Sequence, residues 1–149
     1  MTGAELIRGS AVAVGSAGLL ITGAAGAGKS GLALALIARG ARLVADDQVV
    51  LGDAGGELTM RSPETTRGLI EMRGAGIVQL PCVADVPLRL IADLDEPARD
   101  RLPPLRNRTL RGRAVPLLSC RDWPGAADGL FVLLSHGRLI DPDRDRAGG

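Results

Sequence analysis

Four residues in the first third of the chain could do chemistry together: Lys29, Ser30, Asp46 and Asp47. The chain has 18 basic side chains, and Lys29 is its single lysine; the other 17 are arginine. An ammonium is a compact point charge, where a guanidinium is a planar fork. Lys29 and Ser30 close the segment Gly23, Ala24, Ala25, Gly26, Ala27, Gly28, Lys29, Ser30, which satisfies G-x-x-x-x-G-K-[ST] at every defined position. Glycines let such a backbone curl so that several N–H groups converge on phosphate oxygens. The helix N-terminus that follows adds partial positive charge. In this arrangement all eight residues cradle a nucleotide, Lys29 reaches the β- and γ-phosphates, and the Ser30 hydroxyl is a magnesium ligand. The expected ligands are ATP and Mg2+. The alternative is a glycine-rich turn in a chain rich in glycine and alanine. A lone lysine at the required place, followed by serine, favours phosphate.

Asp46 and Asp47 sit inside the apolar run Val44–Val50. Two adjacent carboxylates are costly to bury unless something positive faces them. They follow Lys29 by 17 and 18 residues, an interval that a helix of roughly ten residues, a glycine stop and a short strand consume. The strand then ends beside the phosphate loop. Neighbours on a strand point to opposite faces, so the two carboxylates are expected to take unlike roles. One approaches the metal, directly or through water. The other sits near the γ-phosphate and accepts the proton of an arriving hydroxyl. The alternative is a strand-end pair facing solvent.

The elements that must position these groups can be read from pattern. "AVAVGSAGLLITG" reads as two strands with a turn at Gly15–Gly18, the second strand (Leu19–Thr22) running into the glycine loop. A helix follows over Lys29–Arg39, with Gly40 as its stop. "RLVADD" is the next strand, and "QVVLGD" continues it or turns into another. "GDAGGE" is a turn and "ELTMRS" a hairpin partner. "SPETTRGLIEMRG" predicts a short helix capped by Ser62, with Pro63 in its first position. "GIVQLP", "PLRLIADL" and "AVPLLSC" predict strands, and "PGAADGLFVLLSHG" a helix beginning near Pro124. The polar, proline-broken "EPARDRLPPLRNRTLRGR" reads as loop or short helix. The result is an α/β domain with a mixed sheet over residues 1–140 and a disordered tail over 141–149.

Composition narrows the function. Hydrophobic residues make up 46% of 149 positions, sufficient for one core. Trp123 and Phe131 are the only aromatics, so no stacking platform for single-stranded nucleic acid exists. A net charge of +1 creates no field favouring DNA or an acidic membrane. Cys82 and Cys120 lack partner motifs and read as small buried hydrophobes, not a disulfide framework or zinc site. There is no signal-like N-terminus and no apolar run approaching ~18 residues, so a cytoplasmic protein without a membrane role is expected.

With these residues in view, "GAAGAGKS", "RGARLVADDQV" and "EMRGAGI" (Glu71–Ile77) together resemble the bacterial HPr kinase/phosphorylase family over residues 5–80. The third segment resembles the family signature Glu-Ile-Arg-Gly-Leu-Gly-Ile. The resemblance is to a short form with the C-terminal catalytic domain only. It implies a P-loop domain related to phosphoenolpyruvate carboxykinase, phosphorylation of a serine on the phosphocarrier protein HPr, and a homo-oligomer, hexameric in the family. By position it makes Asp47 the proton acceptor in phosphorylation and the donor in dephosphorylation. It makes Ser30 and Glu71 magnesium ligands with Asp46 in support, and puts Arg73 in the segment serving both reactions. "DRLP" resembles the place of a further catalytic arginine, Arg101. The alternative for Glu71 and Arg73 is an exposed helix-end pair, and for Arg101 the favoured reading is an ordinary surface arginine.

The chain departs from the family where a histidine usually precedes the first loop glycine by 15 residues; here that position is Arg8. Gly31 replaces an acidic residue after the loop serine, and no match to the loop linked with dephosphorylation follows. Dephosphorylation is therefore doubtful, and the alternative function is a nucleotide-binding regulatory module with little catalysis. A small-molecule kinase is disfavoured, because no lid segment with paired arginines is present. The six arginines from Arg99 to Arg113 bind the protein substrate or are simply solvated. Trp123 is an interface anchor or a core edge.

Overall fold

The computed structural model describes residues 4–140; the tail expected to be disordered lies outside the described residues. The chain opens with three strands, β1 (Glu5–Arg8), β2 (Ser10–Val14) and β3 (Ala17–Thr22). β2 and β3 form an antiparallel hairpin with Val14 opposite Ala17, and Gly15 takes the turn at φ 60°. The glycine loop leads into α1 (Lys29–Ala38), which ends at Arg39 with Gly40 at φ 119°. Then come β4 (Arg42–Ala45), β5 (Gln48–Ala54) and β6 (Glu57–Arg61), the last two a hairpin turning at Gly55 and Gly56. A second hairpin, β7 (Leu69–Met72) with β8 (Gly76–Gln79), stands apart as a two-stranded sheet. The chain closes with β9 (Val86–Pro97), β10 (Arg106–Leu110), β11 (Arg113–Arg121) and α2 (Ala126–His136).

Nine strands form one sheet, in the order β1-β5-β6-β9-β3-β2-β4, with β11 also on β9 and β10 on β11. β9 runs parallel to both β3 and β11; the other pairings in the sheet are antiparallel. The α/β class with a mixed sheet is thus borne out. The central strands are buried on both faces, so they read as continuous apolar runs with little alternation. Their residues still split by parity into two cores. Val12, Leu19, Ile21, Leu90 and Ala92 meet Ala33 and Leu36 of α1 and Leu130 of α2. Ala11, Ala13, Leu20 and Ile91 face the other way, toward Leu51, Leu58 and Met60 of the curling β5–β6 hairpin. No helix among the described residues is long and apolar enough to cross a membrane.

Three local readings need correction. Residues 62–74 hold no helix beyond one 3₁₀ turn at Glu64–Thr66. Ser62 Oγ donates to the Pro63 carbonyl and caps nothing. Gly68 then takes φ 77° against the Leu80 carbonyl, and β7 pairs with β8. Start signals act over one turn, whereas the hairpin formed with the next segment decides the rest. Residues 106–110, read as loop, are β10 on the open edge of β11, where charged residues are the expected guard. β1, not foreseen, pairs with β5 at the opposite edge.

Cys120 is a free, buried thiol and Cys82 a free, half-buried one. Burial, and secondarily the Asp93 carboxylate, push the Cys120 thiol up from about 9 to about 12. The folded chain holds this proton where the unfolded chain releases it, so stability falls as pH rises from about 9 toward 12. Cys120→Ala should flatten that alkaline limb in urea titrations, and an alkylating reagent at neutral pH should label Cys82 and spare Cys120. A second test concerns Gly18, where a Cβ would strike the Pro87 carbonyl and lie 2.7 Å from Met60 Cε. Gly18→Ala should lower the urea midpoint, a loss of about 2–3 kcal/mol, with an unchanged m-value.

Candidate functional site

The loop between β3 and α1 curls as the motif requires. Gly23, Gly26 and Gly28 all have positive φ, at 154°, 84° and 100°. A side chain is strained there, which is why these positions are glycine. Gly28 caps α1 without any side-chain cap, and the first turn carries no acidic residue. The N–H groups at the helix start therefore keep their partial positive charge uncompensated. Lys29 Nζ donates to the carbonyls of Gly23 (2.7 Å) and Ala24 (3.0 Å), holding the ammonium across the loop. An ammonium has three donors, so one remains for an anion.

Asp46 organises the ground beneath. It is 7% exposed. Its Oδ1 accepts from Ser10 Oγ at 2.7 Å and from Ser30 Oγ at 2.8 Å. Its Oδ2 accepts from the Glu71 N–H at 3.2 Å. These donors come from the first residue of β2, the first turn of α1 and the middle of β7. The two aspartates are not on a strand, as the sequence suggested. They form the bend between β4 and β5, and Asp47 takes φ 70°. That bend still gives them unlike environments: Asp46 is buried, and Asp47 is exposed with its carbonyl accepting the Gly9 N–H at 3.1 Å. A left-handed residue other than glycine is uncommon, and aspartate is, with asparagine, among those that tolerate it.

A cavity of about 880 Å³ lies above this bend. Ala25, Gly26, Gly28, Lys29 and Ser30 line one wall, Asp46 and Asp47 the base, and Glu71, Met72, Arg73 and Ile77 the opposite wall, with Arg8 and Gly31 also contributing. Glu71 belongs to β7, not to a helix end, and Arg73 opens the β7–β8 turn beside Gly74 and Gly76, both with positive φ. Gly23 and Ala24 act through their carbonyls on Lys29, and Ala27 lines a second groove.

The donor set suits magnesium better than a metal caged by protein alone. Among the described residues no three His, Cys, Asp or Glu side chains cluster as a metal cage. What the cavity offers is the Ser30 hydroxyl, whose proton is directed at Asp46 so that its lone pairs stay available, and the Glu71 and Asp47 carboxylates. Magnesium is typically held by one or two carboxylates plus substrate phosphates and water.

Comparison with known proteins places the chain among relatives of one family. The family model described as HPr Serine kinase C-terminal domain matches residues 1–83. This chain belongs to the HPr serine kinase C-terminal domain family. A curated HPr kinase/phosphorylase of Clostridium beijerinckii is 50% identical over 74 residues, covering 50% of this chain and 24% of that protein. One from Clostridium tetani is 49% identical over 75 residues, covering 50% of this chain and 25% of that protein. The match thus spans about a quarter of these relatives' length. The structure titled HPr(Ser) kinase/phosphatase from Coxiella burnetii superposes with a TM-score of 0.77 at 28% identity, covering 97% of this chain and 92% of that one.

Family membership makes the remaining positions informative. Arg101 lies in the exposed segment between β9 and β10 and is absent from the cavity lining. Arg8 does line it. Within the arginine cluster, Arg108 reaches Asp93 (3.5 Å) and Thr22 (3.4 Å), Arg106 bonds Ser119, and Arg113 pairs with Asp53, so half the cluster is engaged within the chain. Sequence reasoning missed Ser10, and it missed a chain of contacts behind the loop. Asp93 Oδ1 accepts the Asp95 N–H at 2.9 Å, and Asp95 Oδ1 accepts the Ala24 N–H at 2.8 Å, fixing the loop's entry. The alternating acids of "ADLDE" were the available signal. Asp46→Ala should destabilise the protein by roughly 2 kcal/mol in urea unfolding, because it leaves the buried Ser10 hydroxyl and the part-buried Ser30 and Glu71 donors unmatched. Asp46→Asn should lose less, since an amide oxygen can still serve the serines.

Proposed function

We propose that the chain is an ATP-dependent serine kinase that phosphorylates an HPr-like phosphocarrier protein and so takes part in regulating sugar uptake and carbon metabolism. The observation carrying this reading is the convergence of Lys29, Ser30, Asp47, Glu71 and Arg73 on one cavity in a member of the HPr serine kinase family. On this reading the glycine loop is a P-loop in a fold related to phosphoenolpyruvate carboxykinase. Its N–H groups and Lys29 carry the negative charge of the β- and γ-phosphates. Ser30 and Glu71 would hold magnesium, with Asp46 orienting the Ser30 hydroxyl. When bound, that ion supplies charge neutralisation at the phosphate oxygens. Asp47 takes the proton from the attacking serine hydroxyl as the phosphoryl group moves to it. Arg73 stabilises charge on the transferred group. Arg101 would have to reach the cavity from the exposed segment it occupies, so its role rests on the resemblance alone. A cytoplasmic setting and a homo-oligomeric assembly rest on that resemblance too.

Removal of phosphate from phosphoserine is proposed to be the weaker direction. Its support is Arg8 in the cavity wall, a side chain that keeps its charge and cannot exchange protons near neutral pH. The same residue, with Gly31, supports a second reading: a nucleotide-binding regulatory module with little turnover. One experiment separates the two. Wild-type protein with labelled ATP, magnesium and the HPr of its own organism should yield phosphoserine. Asp47→Asn should lower the rate about 100-fold or more while ATP affinity stays within a few-fold. Wild-type protein that binds ATP yet never labels HPr leaves only the regulatory module.

A further inference from the structure

A second groove, of about 540 Å³, opens on the other side of the glycine loop. Ala27, Gly28 and Leu32 form one wall, and Cys120, Trp123 and Pro124 the other, with Arg121 and Asp122 also bordering it. Its volume falls in the range of small-molecule sites, about 300–1,000 Å³. We propose that this groove seats the nucleobase and ribose of the nucleotide whose phosphates the glycine loop takes; the inference rests on the phosphate-loop reading above.

Three observations carry it. The first is direction. The catalytic cavity gathers Arg8, Asp47, Glu71 and Arg73, charged groups suited to a phosphoryl group and its acceptor, among apolar side chains that include Leu34, Leu69, Met72 and Ile77. With those charged groups given to phosphoryl transfer, the nucleoside end is assigned the other direction along the loop. The second is continuity. Gly28 lines both cavities, and the space its Cβ would occupy has no heavy atom within 4 Å. The two cavities thus meet at Gly28, and no side chain crowds the turn there. The third is the wall. Trp123 is half-buried, and its ring lies so close over Gly129 of α2 that a Cβ there would meet Cζ2 at 2.7 Å. The ring is held in place before any ligand arrives, which lowers the entropy lost on binding. A flat heterocycle finds an aromatic surface on it and apolar contacts on Leu32 and Pro124.

Trp123 is the chain's only tryptophan, and there is no tyrosine, so its emission reports on this groove alone. ATP and ADP should shift that emission with magnesium present, whereas inorganic tripolyphosphate should bind, by calorimetry, without the same shift. Trp123→Leu should weaken ATP about tenfold or more and leave tripolyphosphate affinity within twofold; Trp123→Phe, which keeps a ring, should restore most of the ATP affinity. Equal ATP affinity for wild-type and Trp123→Leu overturns the proposal, as does a parallel loss of tripolyphosphate. So does a variant that binds ATP normally but fails to engage the carrier protein, which would make the groove a docking site. If wild-type protein binds neither ATP nor tripolyphosphate, the phosphate-loop reading itself has failed.

Discussion

The carboxylate of Asp46 holds three separately encoded parts of the chain in one place. Ser10 begins a strand, Ser30 begins a helix and Glu71 lies on a distant hairpin, yet all three donate to the same two oxygens. A buried carboxylate is tolerated only where donors satisfy it. That requirement makes the contact mutual, because each donor would otherwise be unmatched as well. The β7–β8 hairpin shows the consequence. It belongs to its own two-stranded sheet, and a lone hairpin is marginal in water. Besides the core packing of Ile70, the bond from the Glu71 N–H to Asp46 ties it to the loop that faces it. The position of the Glu71 and Arg73 wall relative to Lys29 therefore depends on this bond together with the packing of Ile70 and Val78.

The glycine loop is braced from two sides in a similar manner. From within, Lys29 pins the carbonyls of Gly23 and Ala24. From behind, Asp95 takes the Ala24 N–H, and Asp95 is itself positioned through Asp93. β9 lies parallel beside β3 with Thr22 opposite Asp93; β9 runs on to Pro97 past the end of β3, which carries Asp95 to where the loop departs. Preorganisation of this kind matters for phosphoryl transfer, where catalysis is mainly positioning and charge stabilisation. The loop needs glycine for its backbone angles, and flexible residues need external supports to stay in one conformation.

The local elements near the loop were legible because their signals are local. The G-x-x-x-x-G-K-S spacing, the alanine- and leucine-rich run of α1 and the stop at Gly40 each act within a few residues. The same logic failed at 62–74, where a serine, a proline and a glutamate announced a helix and one 3₁₀ turn appeared. It failed again at 106–110, where an arginine-rich stretch joined a sheet edge. In both cases the stretch pairs with the strand that follows it, and neither charge nor propensity names that pairing, because what decides it is how the hairpin packs on the rest of the chain. The aspartate pair shows both sides of this. Its two unlike environments were foreseen from an argument about strand alternation, but they arise from a bend, with Asp47 in a left-handed conformation that no alternation rule describes.

What the sequence determined by itself is chemistry tied to short spacing: a curled glycine turn, a lone ammonium, a hydroxyl beside it and a pair of acids one helix and one strand later. Those properties follow from backbone sterics and from the length of a turn of helix, both set by neighbouring residues. What only the tertiary structure decided is which side chains share a site. Asp46 was bonded to Ser10 across 36 residues and Ala24 to Asp95 across 71, and Trp123 was brought to face the start of α1. These pairings depend on the order of strands in the sheet. That order is fixed by which apolar faces can be buried at once, a condition on the whole chain that no short stretch of it contains.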